Sequence, residues 1–147
     1  MIGTLFLADR KEIAVAMNTT EHHTVLLVDD EKDLLFMMEA GFRERGYAVV
    51  ARRTAPSREE IDRIGQAVIF MDVGLERDNG AALCHAIKGG AGHAGPPVVL
   101  ISGLPKEVLR AEAGAGLADA YVTKPFALRE LLDLAAYYAP VDRSALV

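Results

Sequence analysis

Short runs of apolar residues alternate with amphipathic stretches along most of the chain. The first run, TVLLV at 24–28, is continuous and rich in β-branched residues, which is typical of a strand covered on both faces. The stretch that follows places four apolar residues on one helical face, Leu34, Leu35, Met38 and Phe42. Met37 and Met38 are both expected to fill the core. A buried strand followed by a one-sided helix is therefore the first structural unit that the pattern predicts.

The same unit occurs five times in all along the chain. The predicted strands are 24–28, 47–51, 67–71, 97–101 and 119–123, and the predicted helices are 31–46, 57–65, 80–88, 106–114 and 128–139. Gly46 and Pro140 are natural stops for the first and last helices, and Ser57 with Glu60 forms a candidate capping box. Such alternation predicts an α/β fold, a parallel sheet with helices on both faces.

Polar residues follow the apolar runs at the same end of the predicted strands. They are Asp29, Asp30 and Glu31 after the first strand, Asp72 after the third, Ser102 after the fourth and Lys124 after the fifth. Ligand chemistry in open parallel sheets lies at the carboxyl ends of the strands, so these side chains should converge. Aspartates gathered there repel one another unless a hard cation such as Mg²⁺ lies among them, and a hydroxyl and an ammonium suit phosphoryl oxygens. We therefore expect Asp72 to accept a phosphoryl group, as a carboxylate nucleophile can.

Composition narrows the classes of function. The chain has 147 residues, 51% of them hydrophobic, and a net charge of -5, which suits one soluble domain. The mildly acidic balance, without a run of Lys and Arg, argues against nucleic acid or a membrane surface as partner. No apolar run approaches the ~18 residues of a membrane span, and the first residues lack the basic start of a signal peptide. With a single cysteine, Cys84, these features favour the cytoplasm.

The strand-end residues resemble those of the receiver domain of two-component response regulators, the superfamily of the chemotaxis regulator. The resemblance covers roughly residues 24–139 and rests on DD at Asp29–Asp30, MD at Asp72, SG at Ser102 and TKPF around Lys124. The gaps between Asp30, Asp72, Ser102 and Lys124 are 42, 30 and 22 residues, close to the family spacing. Tyr121 matches the family's switch aromatic, and Gly80 matches the glycine of the loop after the acceptor. As a set, these matches are a specific signal.

The resemblance implies a flavodoxin-like doubly wound (βα)5 fold, with strand order 2-1-3-4-5. Asp29, Asp30, Asp72 and the backbone carbonyl of Gly74 would hold Mg²⁺. Asp72 would take its phosphoryl group from a histidine kinase or a histidine phosphotransfer protein. The protein would then be a signalling domain and not an enzyme, apart from slow magnesium-dependent self-phosphorylation and dephosphorylation.

The resemblance also implies how the phosphoryl group would be sensed. Ser102 and Lys124 would bind the phosphoryl oxygens, and Ser102 and Tyr121 would shift inward to reshape the face of the fourth helix, fifth strand and fifth helix. An output protein, which the sequence does not identify, would dock on that face, and a second copy of the chain is a further candidate partner. The Lys124–Pro125 peptide bond would be cis.

The loop after the acceptor departs from the family pattern. Leu75 and Glu76 stand where the family commonly has Met-Pro, and Asn79 replaces the usual Asp before Gly80. The loop thus lacks a proline and gains a negative charge near the site. We expect these changes to alter phosphoryl lifetime or partner preference without removing a required group.

Each site residue also has a simpler interpretation when it is taken alone. Asp29 or Asp30 could cap the first helix, and Asp72 could be an ordinary loop acid. Ser102 could be a turn residue, Lys124 a solvated lysine and Tyr121 a partly buried strand residue. Their joint occurrence at strand ends favours the functional interpretation.

Two other functions stay open. A haloacid-dehalogenase-like phosphohydrolase also places an aspartate beside Mg²⁺, but its DxDxT pattern follows the first strand, where this chain reads DDEKD. A phosphorylation-independent adaptor on the receiver fold is compatible with Glu76 and the missing proline. The chain after Ala139 is too short for an output domain, which predicts a stand-alone receiver that signals through protein–protein contacts.

The two ends of the chain fall outside the strand–helix rhythm. Residues 1–23 are an extension of uncertain structure, and residues 140–147 are a loose tail around the receiver domain at 24–139. Met17 is an alternative start. Otherwise the extension is expected to add a helix that packs on the domain or on a second copy.

Overall fold

The computed structural model describes residues 23–73, 95–105, 107 and 118–141. The described strands are β1 (Thr24–Val28), β2 (Ala48–Arg52), β3 (Val68–Asp72), β4 (Val98–Ser102) and β5 (Ala120–Thr123), and the described helices are α1 (Lys32–Glu44), α2 (Arg58–Ile64) and α3 (Leu128–Tyr138). The predicted helices at 80–88 and 106–114, the extension up to residue 22 and the tail from 142 lie outside the described residues, apart from residue 107.

Four strands begin one residue later than the apolar pattern predicts. The shift puts Asp72 and Ser102 at the last positions of β3 and β4, where the sequence had placed them just after the strands. The reason is that the parallel ladder continues past the apolar residues, pairing Asp72 with Ile101 and Ser102 with Thr123. Backbone hydrogen bonding therefore fixes where both side chains sit.

The five strands form one sheet in the order β2-β1-β3-β4-β5, and all four pairings are parallel. The predicted flavodoxin-like order is confirmed. Every position of β1, β3 and β4 is buried, whereas both ends of the edge strand β2 are exposed. Burial on both faces explains why the central strands are continuous apolar runs in the sequence.

The core has two layers, one on each face of the sheet. One layer includes Leu27 and Phe70 of the sheet packed with Phe42 of α1 and Leu131 of α3. The rings of Phe42 and Phe70 lie 5.1 Å apart between centroids. Ile61 of α2 anchors the opposite layer against neighbouring residues of the same strands. Because adjacent strand residues serve opposite layers, the central strands are apolar between Thr24 at the start of β1 and the polar residues at the carboxyl ends.

Helices α1 and α3 pack closely on the same face. A Cβ added at Gly41 would lie 2.5 Å from Cδ2 of Leu128, so the missing side chain permits the approach. Met38 is buried in this layer, but Met37 is 43% exposed, so the prediction that both fill the core was wrong for Met37. One position along a helix is a turn of about 100°, which separates a core residue from a surface residue.

The helix ends show which local signals the chain uses. Gly46 adopts a φ of 96° just after α1 and Gly65 a φ of 63° just after α2, the left-handed region that glycine tolerates. The Ser57 hydroxyl accepts the N–H of Glu60 at 3.1 Å. The Glu60 carboxylate accepts from Arg52 Nε at 3.1 Å, and this contact together with a hydrogen bond from the Ser57 backbone N–H lowers the pKa of Glu60. Both halves of the predicted capping box therefore form.

Tyr47 ties the end of α3 to the start of β2. Its hydroxyl donates to the carbonyl of Ala139 at 2.9 Å, and both residues are buried. We expect Tyr47→Phe to lower the free energy of unfolding by about 1–2 kcal/mol, because the buried carbonyl loses its donor. Urea denaturation measures this loss, and Tyr137→Phe, at a ring that is 78% exposed, is the matched control. Equal losses in both variants would contradict a specific role for this hydrogen bond.

No helix in the described part of the chain is long and apolar enough to cross a membrane.

Candidate functional site

The sheet register gathers charged residues at one edge. Asp29 follows β1, Asp72 ends β3 and Lys124 follows β5. The Asp29 N–H donates to the carbonyl of Arg52 at 3.1 Å, and the Lys124 N–H donates to the carbonyl of Ser102 at 2.7 Å. Both backbones thus continue the ladder for one more residue, which orients their side chains at the carboxyl end of the sheet.

Three acidic side chains converge there. Asp29, Asp30 and Asp72 each offer a carboxylate oxygen, and these oxygens all lie within 4.8 Å of one another. Asp29 and Asp72 are buried, with residue exposures of 0% and 6%. Carboxylates that lie this close together and are buried from solvent repel one another strongly unless positive charge lies among them.

Asp29 divides its two oxygens between structure and site. Its Oδ1 accepts the backbone N–H of Glu31 at 2.8 Å, which holds the loop before α1. Its Oδ2 is buried without a hydrogen-bond partner among the described residues. A buried oxygen without a hydrogen bond, beside two further carboxylates, fits a hard cation such as Mg²⁺, which prefers oxygen ligands. Gly74, whose carbonyl is the fourth predicted ligand, lies outside the described residues.

Lys124 brings an ammonium group into the cluster. Its Nζ lies 3.1 Å from Asp72 Oδ1, 3.4 Å from Glu31 Oε1 and 3.6 Å from Asp29 Oδ2. The lysine side chain is only 22% exposed. These contacts contradict the simpler interpretation of Lys124 as a solvated lysine. The Lys124–Pro125 peptide bond is cis.

Two residues of the site had no role assigned from the sequence. Glu31 was noted only as an acid after the first strand, and it contacts Lys124. Arg53 donates from Nη2 to the backbone carbonyl of Asp30 at 3.2 Å. The position of Arg53 directly after the strand that neighbours β1 was the available signal. The sequence does not show which way the Arg53 side chain points, so its contact with the Asp30 carbonyl could not be predicted.

Burial and charge set the protonation of the cluster. Burial raises the pKa of Asp72 to about 6, with Lys124 opposing the rise and Asp29 adding to it. Burial likewise raises the pKa of Asp29. Burial acts to lower the pKa of Lys124, but the Asp72 hydrogen bond and the neighbouring carboxylates outweigh it and raise that pKa. The metal-free cluster therefore favours added positive charge, whether from protons or from a cation.

Ser102 is the last residue of β4, at the same edge, whereas Tyr121 is the second residue of β5 and pairs with Leu100. Ser102 is 2% exposed, and its Oγ accepts the N–H of Leu104 at 3.0 Å, as in a turn. Accepting that bond leaves the hydroxyl proton to be donated elsewhere. Tyr121 is half-buried and packs against the layer that contains Ile61. Both positions agree with ordinary turn and strand roles, and the proposed switch stays a prediction.

The helix-capping interpretation of the aspartates is wrong. The N-cap position of α1 is Glu31, and no side chain caps the helix. Asp29 accepts from the N–H of Glu31, which precedes the helix. The buried Asp29 side chain thus holds the loop before α1 and belongs to the charged cluster.

The fold and this edge together define a class of protein. The parallel sheet of order 2-1-3-4-5 is that of CheY-like receiver domains. Three clustered aspartates and a lysine lie at its carboxyl end. The family model of the response regulator receiver domain matches residues 25–136. The chain therefore belongs to the response regulator receiver family, a family of signalling domains in two-component systems.

Individual relatives agree with this assignment. The chain is 27% identical over 110 residues to the sensory transduction protein RegX3 of Mycobacterium tuberculosis, covering 74% of this chain and 47% of RegX3. The chain thus spans about half the length of the curated relatives it matches.

Solved structures show the same fold. The receiver domain of a response regulator from Bermanella marisrubri superposes with a TM-score of 0.69 at 21% identity, covering 79% of this chain and 97% of that one. The BeF3-activated receiver domain of DrrB gives a TM-score of 0.60 at 29% identity, covering 78% of this chain and 95% of that one. DrrB is a Thermotoga maritima protein.

Proposed function

We propose that this receiver takes a phosphoryl group on Asp72 from a histidine kinase or a histidine phosphotransfer protein in a two-component phosphorelay. The observation that carries the proposal is the setting of Asp72. Its carboxylate is buried, lies 3.1 Å from the Lys124 ammonium and belongs to a cluster of three aspartates. Phosphoryl transfer requires mainly positioning and charge neutralisation, and this edge of the sheet supplies both.

Each residue has a distinct part in the proposed reaction. Asp29, Asp30, Asp72 and the carbonyl of Gly74 would hold Mg²⁺, which when bound supplies positive charge to the acids and the phosphoryl oxygens. A carboxylate oxygen of Asp72 bonds to phosphorus while the bond from phosphorus to the donor breaks. Lys124 donates hydrogen bonds to the phosphoryl oxygens, and Ser102 offers its hydroxyl proton.

Output is proposed to pass through protein–protein contacts. Ser102 and Tyr121 would report the phosphoryl group to the face that includes β5 and α3. The similar receiver domain of DrrB has a BeF3-activated form. This supports the view that a site of this class changes its conformational state when a ligand occupies it.

Intact mass after incubation with Mg²⁺ and acetyl phosphate tests the proposal. We expect one added phosphoryl group in the wild type, none when EDTA removes Mg²⁺ and none in Asp72→Asn. Asp133→Asn, at an exposed aspartate of α3, is the matched control and should be modified like the wild type. No adduct in the wild type under rapid quenching, or an adduct that persists in Asp72→Asn, would contradict the assignment.

The alternative function is a phosphorylation-independent adaptor. Glu76 and the missing proline in the loop after Asp72 favour it, and this loop lies outside the described residues. An Asp72→Asn protein that binds its partner with unchanged affinity, alongside a wild type that takes no phosphoryl group, would support the adaptor.

A further inference from the structure

We propose that Glu31 restrains phosphoryl uptake by competing with the phosphoryl group for Lys124. The inference rests on the proposed function of Asp72 as the phosphoryl acceptor. It assigns to Glu31 a positioning role: the residue holds Lys124 in the resting site and opposes the arrival of anionic donors.

Of the three acids that contact Lys124, Glu31 differs from Asp29 and Asp72 in its exposure to solvent. The side chains of Asp29 and Asp72 are 1% and 8% exposed, so the sheet holds them in place. The Glu31 side chain is 62% exposed and reaches the ammonium from the solvent side at 3.4 Å. Its backbone is nevertheless tied to the site, because its N–H donates to Asp29 Oδ1. The backbone of Glu31 is thus held in place, whereas its carboxylate can move.

This geometry makes Glu31 the acid that must yield when the site is filled. An ammonium has three N–H donors, and three carboxylates already surround that of Lys124. A phosphoryl group on Asp72 adds further oxygens that need the same donors. Asp29 and Asp72 are buried at the ends of their strands, whereas the exposed Glu31 side chain can move into water at little cost.

The charge of Glu31 acts in the same direction as this competition. A donor such as acetyl phosphate must approach Asp72 past the mouth of the site, where the Glu31 carboxylate repels it. Removal of the carboxylate should therefore speed the reaction most for the most negative donors. The effect should be modest because Glu31 is exposed, and it should weaken as salt rises.

Rates of phosphoryl uptake test the inference. With acetyl phosphate, the bond between phosphorus and the acetyl oxygen breaks and acetate leaves; with phosphoramidate, the phosphorus–nitrogen bond breaks and ammonia leaves with a proton. We expect Glu31→Gln to react roughly threefold to fivefold faster with acetyl phosphate at low salt, as loss of an exposed ion pair allows. The gain should be smaller with the less negative phosphoramidate and smaller at high salt. Rapid quenching and intact mass give the rates.

Matched variants separate the contact from net charge. Asp33→Asn removes an equal charge from an exposed acid in the first turn of α1, and it should react at the wild-type rate. Glu31→Asp keeps the charge, so its rate of phosphoryl uptake should be close to that of the wild type. A Glu31→Gln rate equal to or below that of the wild type overturns the inference, as does an equal acceleration in Asp33→Asn. In those cases the wild-type adduct still supports Asp72 as acceptor, whereas no adduct in any variant overturns both proposals.

Discussion

In metal-free buffer at pH 7.5, Asp72→Asn is expected to raise the free energy of unfolding by about 2–3 kcal/mol. The pKa of Asp72 rises from 3.8 to about 6 on folding, chiefly because the carboxyl is buried. The folded state therefore binds this proton more tightly than the unfolded state. Each pKa step of one is worth about 1.4 kcal/mol, so ionised Asp72 weakens the metal-free fold by that order.

The sign of the pH dependence follows from the raised pKa. Stabilisation by the Asp72 proton is fully present below pH 3.8 and is lost as pH rises through about 6. The advantage of Asp72→Asn should thus be largest above pH 6 and should shrink toward zero near pH 4. Urea denaturation at several pH values measures the difference between variant and wild type.

A matched substitution tests whether burial is the cause. Asp133 is exposed on α3, so Asp133→Asn should change the free energy of unfolding by less than about 0.5 kcal/mol at every pH. Mg²⁺ should stabilise the wild type more than Asp72→Asn, because the variant lacks one of the charged oxygens proposed to bind it. A less stable Asp72→Asn at pH 7.5, or a difference independent of pH, would contradict the electrostatic account.

Lys124→Met is expected to have the opposite effect, lowering the free energy of unfolding at pH 7.5 by roughly 2–4 kcal/mol. Removing one partner of a buried ion pair leaves the other charge without compensation. Asp72 and Asp29 would both lose their nearest cation, while the methionine keeps much of the lysine's apolar stem. The loss should narrow at lower pH, since Asp72 then takes up a proton.

Two comparisons sharpen this test. Lys32→Met, at an exposed lysine at the start of α1, removes the same charge from the surface and should have little effect. The double variant Lys124→Met with Asp72→Asn should recover much of the lost stability, because it removes both members of the closest pair. Strictly additive effects of the two substitutions would show that they do not interact.

The acidic cluster around Asp72 destabilises the metal-free fold at the site proposed for phosphoryl transfer. The apolar strands stabilise the sheet, and the acids at their carboxyl ends oppose it until positive charge arrives. Such local conflict between stability and residue choice is common at functional sites. It also accounts for the self-repelling charges that directly follow the buried strand β1.

The sequence alone determined the architecture and the members of the acidic cluster. Continuous apolar runs such as TVLLV predicted strands buried on both faces, and their alternation with helices predicted a parallel sheet. Parallel strands end at one edge, so Asp29, Asp72 and Lys124 could be placed together without coordinates. The order of the strands came from the resemblance to receivers, and the structure confirmed it.

Only the tertiary structure decided how these side chains share their contacts. The sequence did not show that Glu31 reaches Lys124, that Arg53 holds the Asp30 carbonyl, or that Ser102 accepts from its own turn. It also could not tell exposed Met37 from buried Met38. Strand and helix periodicity follow from local backbone geometry, which neighbouring residues reveal. Side-chain contacts depend on which distant residues the packed sheet brings within a few ångströms, and that is settled only when the whole domain has folded.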